Sequence, residues 1–143
     1  MSKIDEVSWY NKLVELGAAG IPYVHQGHSR SGADCVGLLL LTLKELGFDY
    51  SEFDVPDRSY NPPARALVRQ LTNAFGPQVY AWRNCRVVVF RSWAAGPQHL
   101  ALCGLDSKGV EWLLHAHRDS GRVEFLKWNA KAGPQIYGFW EVP

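Results

Sequence analysis

The stretch Cys35-Val-Gly-Leu-Leu-Leu-Leu-Thr-Leu-Lys-Glu-Leu46 constrains the fold more than any other part of this chain. Val36, Leu38, Leu39, Leu40, Leu41, Leu43 and Leu46 are apolar almost all the way round a helix, and Gly47 closes it. A helix without a polar face is buried at the centre of a domain, not laid on its surface. The rest of the chain must therefore supply walls around it. Its 143 residues suffice for one domain, 1–143, with a real core, and two independent cores would be cramped.

The walls can be read from the periodicity. Val7, Tyr10, Leu13, Val14 and Leu16 suit an amphipathic helix from about Ile4 to Leu16 that ends at Gly17. Gly20 to Gly32 reads as a loop rich in Gly, His, Ser and Pro, and Phe48 to Pro63 as a second loop. Ala66, Leu67, Leu71, Ala74 and Phe75 predict a helix over Ala64 to Phe75, stopped by Gly76-Pro77. After that the character changes. Arg86 to Phe90, Gln98 to Gly104, Val110 to Ala116, Arg122 to Leu126 and Ile136 to Val142 are short, β-branched or aromatic, and divided by turn residues. Asp106 to Gly109 and Asp119 to Gly121 read as hairpin turns. Helices first and an antiparallel meander second predict an α+β fold, with the sheet packed on the buried helix.

Chemistry concentrates where the halves should meet. Asp34 is a good N-cap and Cys35 the first helical residue. The free N–H groups and partial positive charge of a helix N-terminus stabilise a thiolate and lower a cysteine pKa from its usual ~8.5. The same N–H groups suit an oxyanion. Gly32 and Gly37 are expected to leave room beside Cys35 for a substrate. A nucleophile needs a base, and the base a third group to hold its ring. His99 opens one strand and His115 nears the end of the next, so a hairpin between them sets the two side by side at one sheet end.

Each of these residues also has a plainer reading. A lone Cys in a leucine-rich helix is commonly core filler, and a lone His is commonly a surface or satisfied core residue; the conjunction is what points to catalysis. Cys85 and Cys103, in apolar surroundings, read as small core residues. Zinc is the competing chemistry, since His25, His28, Cys35, His99, His115 and His117 include its ligand types. However, no Cys-x-x-Cys or His-Glu-x-x-His spacing occurs, and His117 is expected to point to the opposite face or to solvent. Among the six tryptophans, Trp93, just before His99, is placed to wall a cleft, whereas the others read as packing. Arg30 and Arg58 could meet a substrate carboxylate, with solvated loop charge as the plainer reading.

A net charge of +1 and the absence of a basic run give no sign of a nucleic-acid partner. The longest apolar run is too short to span a bilayer, so no stable membrane insertion is expected. The N-terminal run lacks the apolar stretch of a secretory signal, so synthesis in the cytoplasm without one is expected.

Gly20-Ile-Pro-Tyr23, His25-Gln-Gly27, Ser29, Gly32 and Asp34-Cys35-Val36-Gly37, followed by His99-Leu-Ala-Leu102 and Leu114-His115-Ala116, resemble the signature of the NlpC-type cell-wall peptidases, the NlpC/p-sixty family. The match runs from about Trp9 to the C-terminus. The Pro-Tyr-x-His-Gln-Gly variant and the short Phe139-Trp-x-Val-Pro143 ending look most like phage and prophage members. The resemblance implies a papain-like fold and hydrolysis of amide bonds in peptidoglycan stem peptides, with no metal and no organic cofactor. It maps the nucleophile onto Cys35, the base onto His99, the orienting residue onto His115 and the family's tyrosine near the nucleophile onto Tyr23; Asp34, Val36 and Trp93 complete the expected substrate and oxyanion surroundings. It also implies phage tail proteins as partners and action at the bacterial cell wall, from the virion; two alternatives stay open, a structural tail-assembly component with little or no hydrolytic activity, and an amidase or acyltransferase on another acyl substrate. Two departures stand out: Val36 replaces a common Ser that lines the substrate pocket, and Asn84-Cys85 replaces Gly-Asp before the first sheet strand.

Overall fold

The Leu-rich helix forms over Cys35–Glu45 (α2), with Cys35, Val36, Gly37, Leu38, Leu39, Leu41, Thr42 and Leu43 buried. The computed structural model describes residues 3–50, 53, 64–92, 96–131 and 135–143. Helix α1 spans Glu6–Ala18 and turns Trp9, Leu13 and Leu16 inward, at spacings of one helical face. Its N-terminus is capped by Asp5, whose carboxylate accepts the Ser8 N–H at 3.0 Å. Gly17 does not end this helix. A Cβ at Gly17 would stand 2.4 Å from the Phe125 Cβ, so glycine here permits close packing, and Gly20, at φ 70°, turns the chain instead. Helix α3 covers Ala64–Phe75, as its pattern predicts, and buries Leu67 and Leu71.

Inside the stretch expected to be loop, β1 (His28–Ser29) and β2 (Gly32–Ala33) form a small antiparallel hairpin. Two-residue strands leave no periodicity to read. The main sheet consists of β3 (Arg86–Ser92), β4 (Gly96–Leu105), β5 (Glu111–His117), β6 (Arg122–Lys127) and β7 (Gln135–Glu141). Its order is β6-β5-β4-β3-β7, antiparallel throughout. The β4–β5 turn is built by Asp106, whose carboxylate accepts the Lys108 and Val110 N–H groups at 2.9 Å each, with Gly109 at φ 79°. The meander holds for four strands only. The chain leaves β6 through Trp128, which stacks on Trp82 and Phe90, and β7 then pairs with β3 at the far edge.

Alternation divides the sheet into two buried faces. Val87, Val89, Leu100, Leu102, Leu114, Ala116 and Trp140 share one core with the helices. Val88, Phe90, Ala101, Cys103 and Leu113 form a second core with Trp82 and Trp128. Cys85 and Cys103 are buried, as expected of core residues, and burial pushes the Cys103 thiol up. Among the described residues no helix is long and apolar enough to cross a membrane.

Candidate active site

Asp34 organises the turn that presents Cys35. One carboxylate oxygen accepts the Gly37 N–H at 2.7 Å, which caps α2, and the other accepts the Gln26 N–H at 2.8 Å. Gln26 sits at φ 62°, and the Asp34 N–H donates back to the Gly27 carbonyl at 3.2 Å. Cys35 follows as the first residue of the helix and is 8 % exposed. The glycines serve a different purpose from the one expected. A Cβ at Gly37 would lie 1.7 Å from the Gly27 carbonyl oxygen, and one at Gly32 would lie 2.2 Å from a Val24 methyl. Their space is filled by the loop that wraps the helix start, so they do not form an opening for substrate.

Backbone bonds fasten this turn to one end of the main sheet. Pro22 bridges to Arg122 and Tyr23 bridges to Ala33. The Val123 N–H donates to Ile21 at 2.9 Å, the Tyr23 N–H to Gly121 at 2.8 Å and the Ala33 N–H to Pro22 at 3.1 Å. Arg122 pairs with His117, the last residue of β5. Because β4 runs antiparallel to β5, the start of β4 lies at that same end. The ladder thus brings the helix start to the sheet end that carries His99, His115 and His117.

There the Nε2 atom of His99 and the Nδ1 atom of His115 are hydrogen-bonded at 2.9 Å. The expectation that these rings sit side by side holds, although the pairing Leu102↔Leu114 makes them diagonal rather than opposite neighbours. The β3–β4 register slips between Phe90↔His99 and Arg91↔Pro97, so the extra residue of a bulge, position 98, directly precedes His99. Such a bulge bends its strand and re-aims the adjoining side chain. The His99 ring stacks on Phe90 at 6.1 Å.

His117 was expected to point away, and it does not. Residues 115 and 117 share a face of β5, and the His117 ring lies 5.1 Å from His115 and 6.1 Å from His99. Glu124, the cross-strand partner of His115, also belongs here, with its Oε1 atom 3.8 Å from His115 Nε2. His117 was readable from strand alternation, two residues after His115, whereas Glu124 had no local signal and only the register of β5 against β6 reveals it. Burial, with the neighbouring His115 and His117 rings, pushes the His99 pKa down to about 3. Burial and His117 push His115 down to about 4, against an upward pull from Glu124. Both rings are therefore neutral at neutral pH, each with one donor and one acceptor nitrogen.

The remaining expected residues divide clearly. Tyr23 is partly buried and packs against the helix-side core. Val36 is fully buried, so it lines no open channel. Trp93 and Arg58 lie outside the described residues. Arg30 is engaged by Glu15 and by Glu45, the latter at 2.6 and 2.7 Å. Trp82 and Trp128 stack on each other, Trp112 stacks on Phe125, and Trp9 and Trp140 are fully buried, which accounts for five of the six tryptophans as packing. Asn84 braces the end of β4 through two 2.8 Å bonds with the Leu105 backbone, and Cys85 adopts φ 62°. His25 and His28 are exposed. Among the described residues no group of three or more His, Cys, Asp or Glu is arranged to hold a metal ion.

No protein-family model matches this sequence, and no curated protein matches it. Among solved structures, the chain is similar to that of a protein from Staphylococcus aureus subsp. aureus Mu50 described as similar to lipoprotein, NLP/P60 family. The TM-score is 0.62 at 16 % sequence identity, covering 99 % of this chain and 43 % of the other. The chain thus spans less than half the length of that relative. The likeness is one of fold: three helices and a five-stranded antiparallel sheet, the α+β arrangement of an NLP/P60 structure.

Proposed function

We propose that this chain is a cysteine peptidase that hydrolyses amide bonds in peptidoglycan stem peptides, with Cys35 as nucleophile, His99 as general base and His115 orienting that base. The observation that carries this reading is the 2.9 Å bond between His99 Nε2 and His115 Nδ1, at the sheet end to which the Cys35 turn is fastened. When the His99 Nε2–H donates to His115, the Nδ1 lone pair of His99 is left to take the thiol proton. The thiolate attacks the amide carbonyl, and the Cys35 backbone N–H, with the Tyr23 hydroxyl, stabilises the oxyanion. His99 then protonates the leaving amine, and water hydrolyses the thioester.

Two observations support peptidoglycan over another acyl substrate. The fold is that of an NLP/P60 structure, the family whose motif order the sequence resembles. Val36 is itself fully buried and so offers no surface to a lipid chain. On this reading the partner is a stem peptide of the bacterial cell wall, and delivery by a phage tail is the route that the resemblance suggests.

Digestion of purified peptidoglycan, with products read by mass spectrometry, tests the proposal. Stem-peptide fragments are expected from the wild type and none from a folded Cys35→Ala variant. Fragments from both proteins would remove Cys35 from the mechanism, and none from either would overturn the substrate assignment.

A further inference from the structure

His115 gives one ring nitrogen to His99 and buries the other. Its Nε2 atom is shielded from solvent and makes no hydrogen bond among the described residues. Glu124 Oε1 stands 3.8 Å from it, on the neighbouring strand at the directly paired position. Both side chains are largely buried, at 12 % and 16 % exposure. The second Glu124 oxygen lies 3.9 Å from the Arg122 guanidinium. Among the described residues the rings of His99 and His117 also face His115, each with its centroid 5.1 Å away.

A neutral imidazole has one donor and one acceptor nitrogen, so the proton on one edge of His115 decides what the other edge can do. If His115 carried its proton on Nδ1, His99 would have to accept through Nε2 and hold its own proton on Nδ1, where it could not act as a base toward the thiol. We propose that Glu124 is the positioning residue that prevents this: its carboxylate takes the Nε2–H of His115, so that His115 Nδ1 accepts from His99 and the His99 Nδ1 lone pair stays free. A closure of about 1 Å brings the 3.8 Å contact to hydrogen-bond length. This inference rests on the reading of His99 as general base.

The test is the imidazole region of nitrogen-15 spectra of the full chain at neutral pH, where the two tautomers differ in their nitrogen shifts. The wild type is expected to show His115 protonated on Nε2. Glu124→Ala is expected to add an Nδ1–H population and to lower kcat on peptidoglycan about 10-fold with KM unchanged. Glu124→Gln, which keeps an acceptor oxygen, is expected to restore the single tautomer. An unaltered His115 tautomer in folded Glu124→Ala overturns the inference, and so does a wild-type proton on Nδ1, which decides the matter if the alanine variant does not fold. The spectra need no turnover. A Glu124-dependent tautomer in a protein that cuts no peptidoglycan would sink the proposed substrate and leave the role of Glu124 standing.

Discussion

In the proposed mechanism Asp34 and His115 act through the groups they hold rather than through contact with a substrate, and their substitutions separate cleanly. Asp34→Ala removes a helix cap, worth about 1 kcal/mol, and leaves the Gln26 N–H without its acceptor, about 1 kcal/mol more. Urea denaturation should show a loss near that sum, with Asp34→Asn losing less because it keeps an acceptor for Gly37; an unchanged midpoint in the alanine variant would contradict the geometry. His115→Ala should lower kcat by about 10²-fold or more, the scale on which a misdirected general base costs. His115→Asn should recover part of that, since its amide oxygen can accept the His99 Nε2–H. Equal turnover in the wild type and the alanine variant would refute the orienting role. Cys35 and its cap were legible because capping is local, written in adjacent residues. Glu124 was not, because its meaning lies in a strand register that joins residues on different strands; His117 was within reach of the alternation along β5 that sets it on the face of His115.

At the level of elements, the start of α2 is a site of close backbone crossing. The Gly27 carbonyl occupies the place of a Gly37 side chain, at 1.7 Å from an added Cβ. Gly37→Ala must therefore push the loop off the helix, at a cost toward the upper end of the roughly 1–3 kcal/mol typical of overpacking. Gly104→Ala is the control, because its Cβ would meet nothing nearer than 3.4 Å and φ there is ordinary. Thermal melts should find the first variant destabilised and the second close to wild type; the reverse order would mean that the loop does not pack as described. The α2 and α3 patterns and the Asp106 turn were readable because each is a run of local signals. The β1–β2 hairpin was not, being fixed by its contacts with α2 and with Tyr23. The pairing of β7 with β3 was also hidden, since it depends on the aromatic layer that carries Trp128 across the second face.

Across the whole molecule, two sets of groups should make stability depend on pH in separate windows. His99 and His115 have folded pKa values of about 3 and about 4, below the ordinary 6.5. Between those values and 6.5 the unfolded chain binds protons that the folded chain does not, so stability falls as pH drops from 6.5, by about 1.4 kcal/mol per unit for each fully neutral ring. A second loss begins lower. Arg30, at the tip of the β1–β2 hairpin, is paired with Glu45 of α2 and Glu15 of α1, and Lys12 reaches Glu45 at 3.2 Å. The Arg30 hydrogen bond is the main cause that holds Glu45 down at about 2, so this latch contributes fully above 4.5 and is lost as pH falls toward 2. Urea midpoints from pH 7 to pH 3 should therefore decline in two stages. His115→Gln should flatten the stage between 6.5 and 4, whereas Arg30→Gln should flatten only the part below 4.5. The burial that keeps His99 and His115 neutral, as the proposed mechanism requires, thus carries a stability cost in acid, and the hairpin that ties down the Cys35 turn is held by ions that fail only later. A wild-type curve that is level from pH 6.5 to 4.5 would mean that the imidazoles are charged within the fold, and the neutral-base mechanism would fall with it.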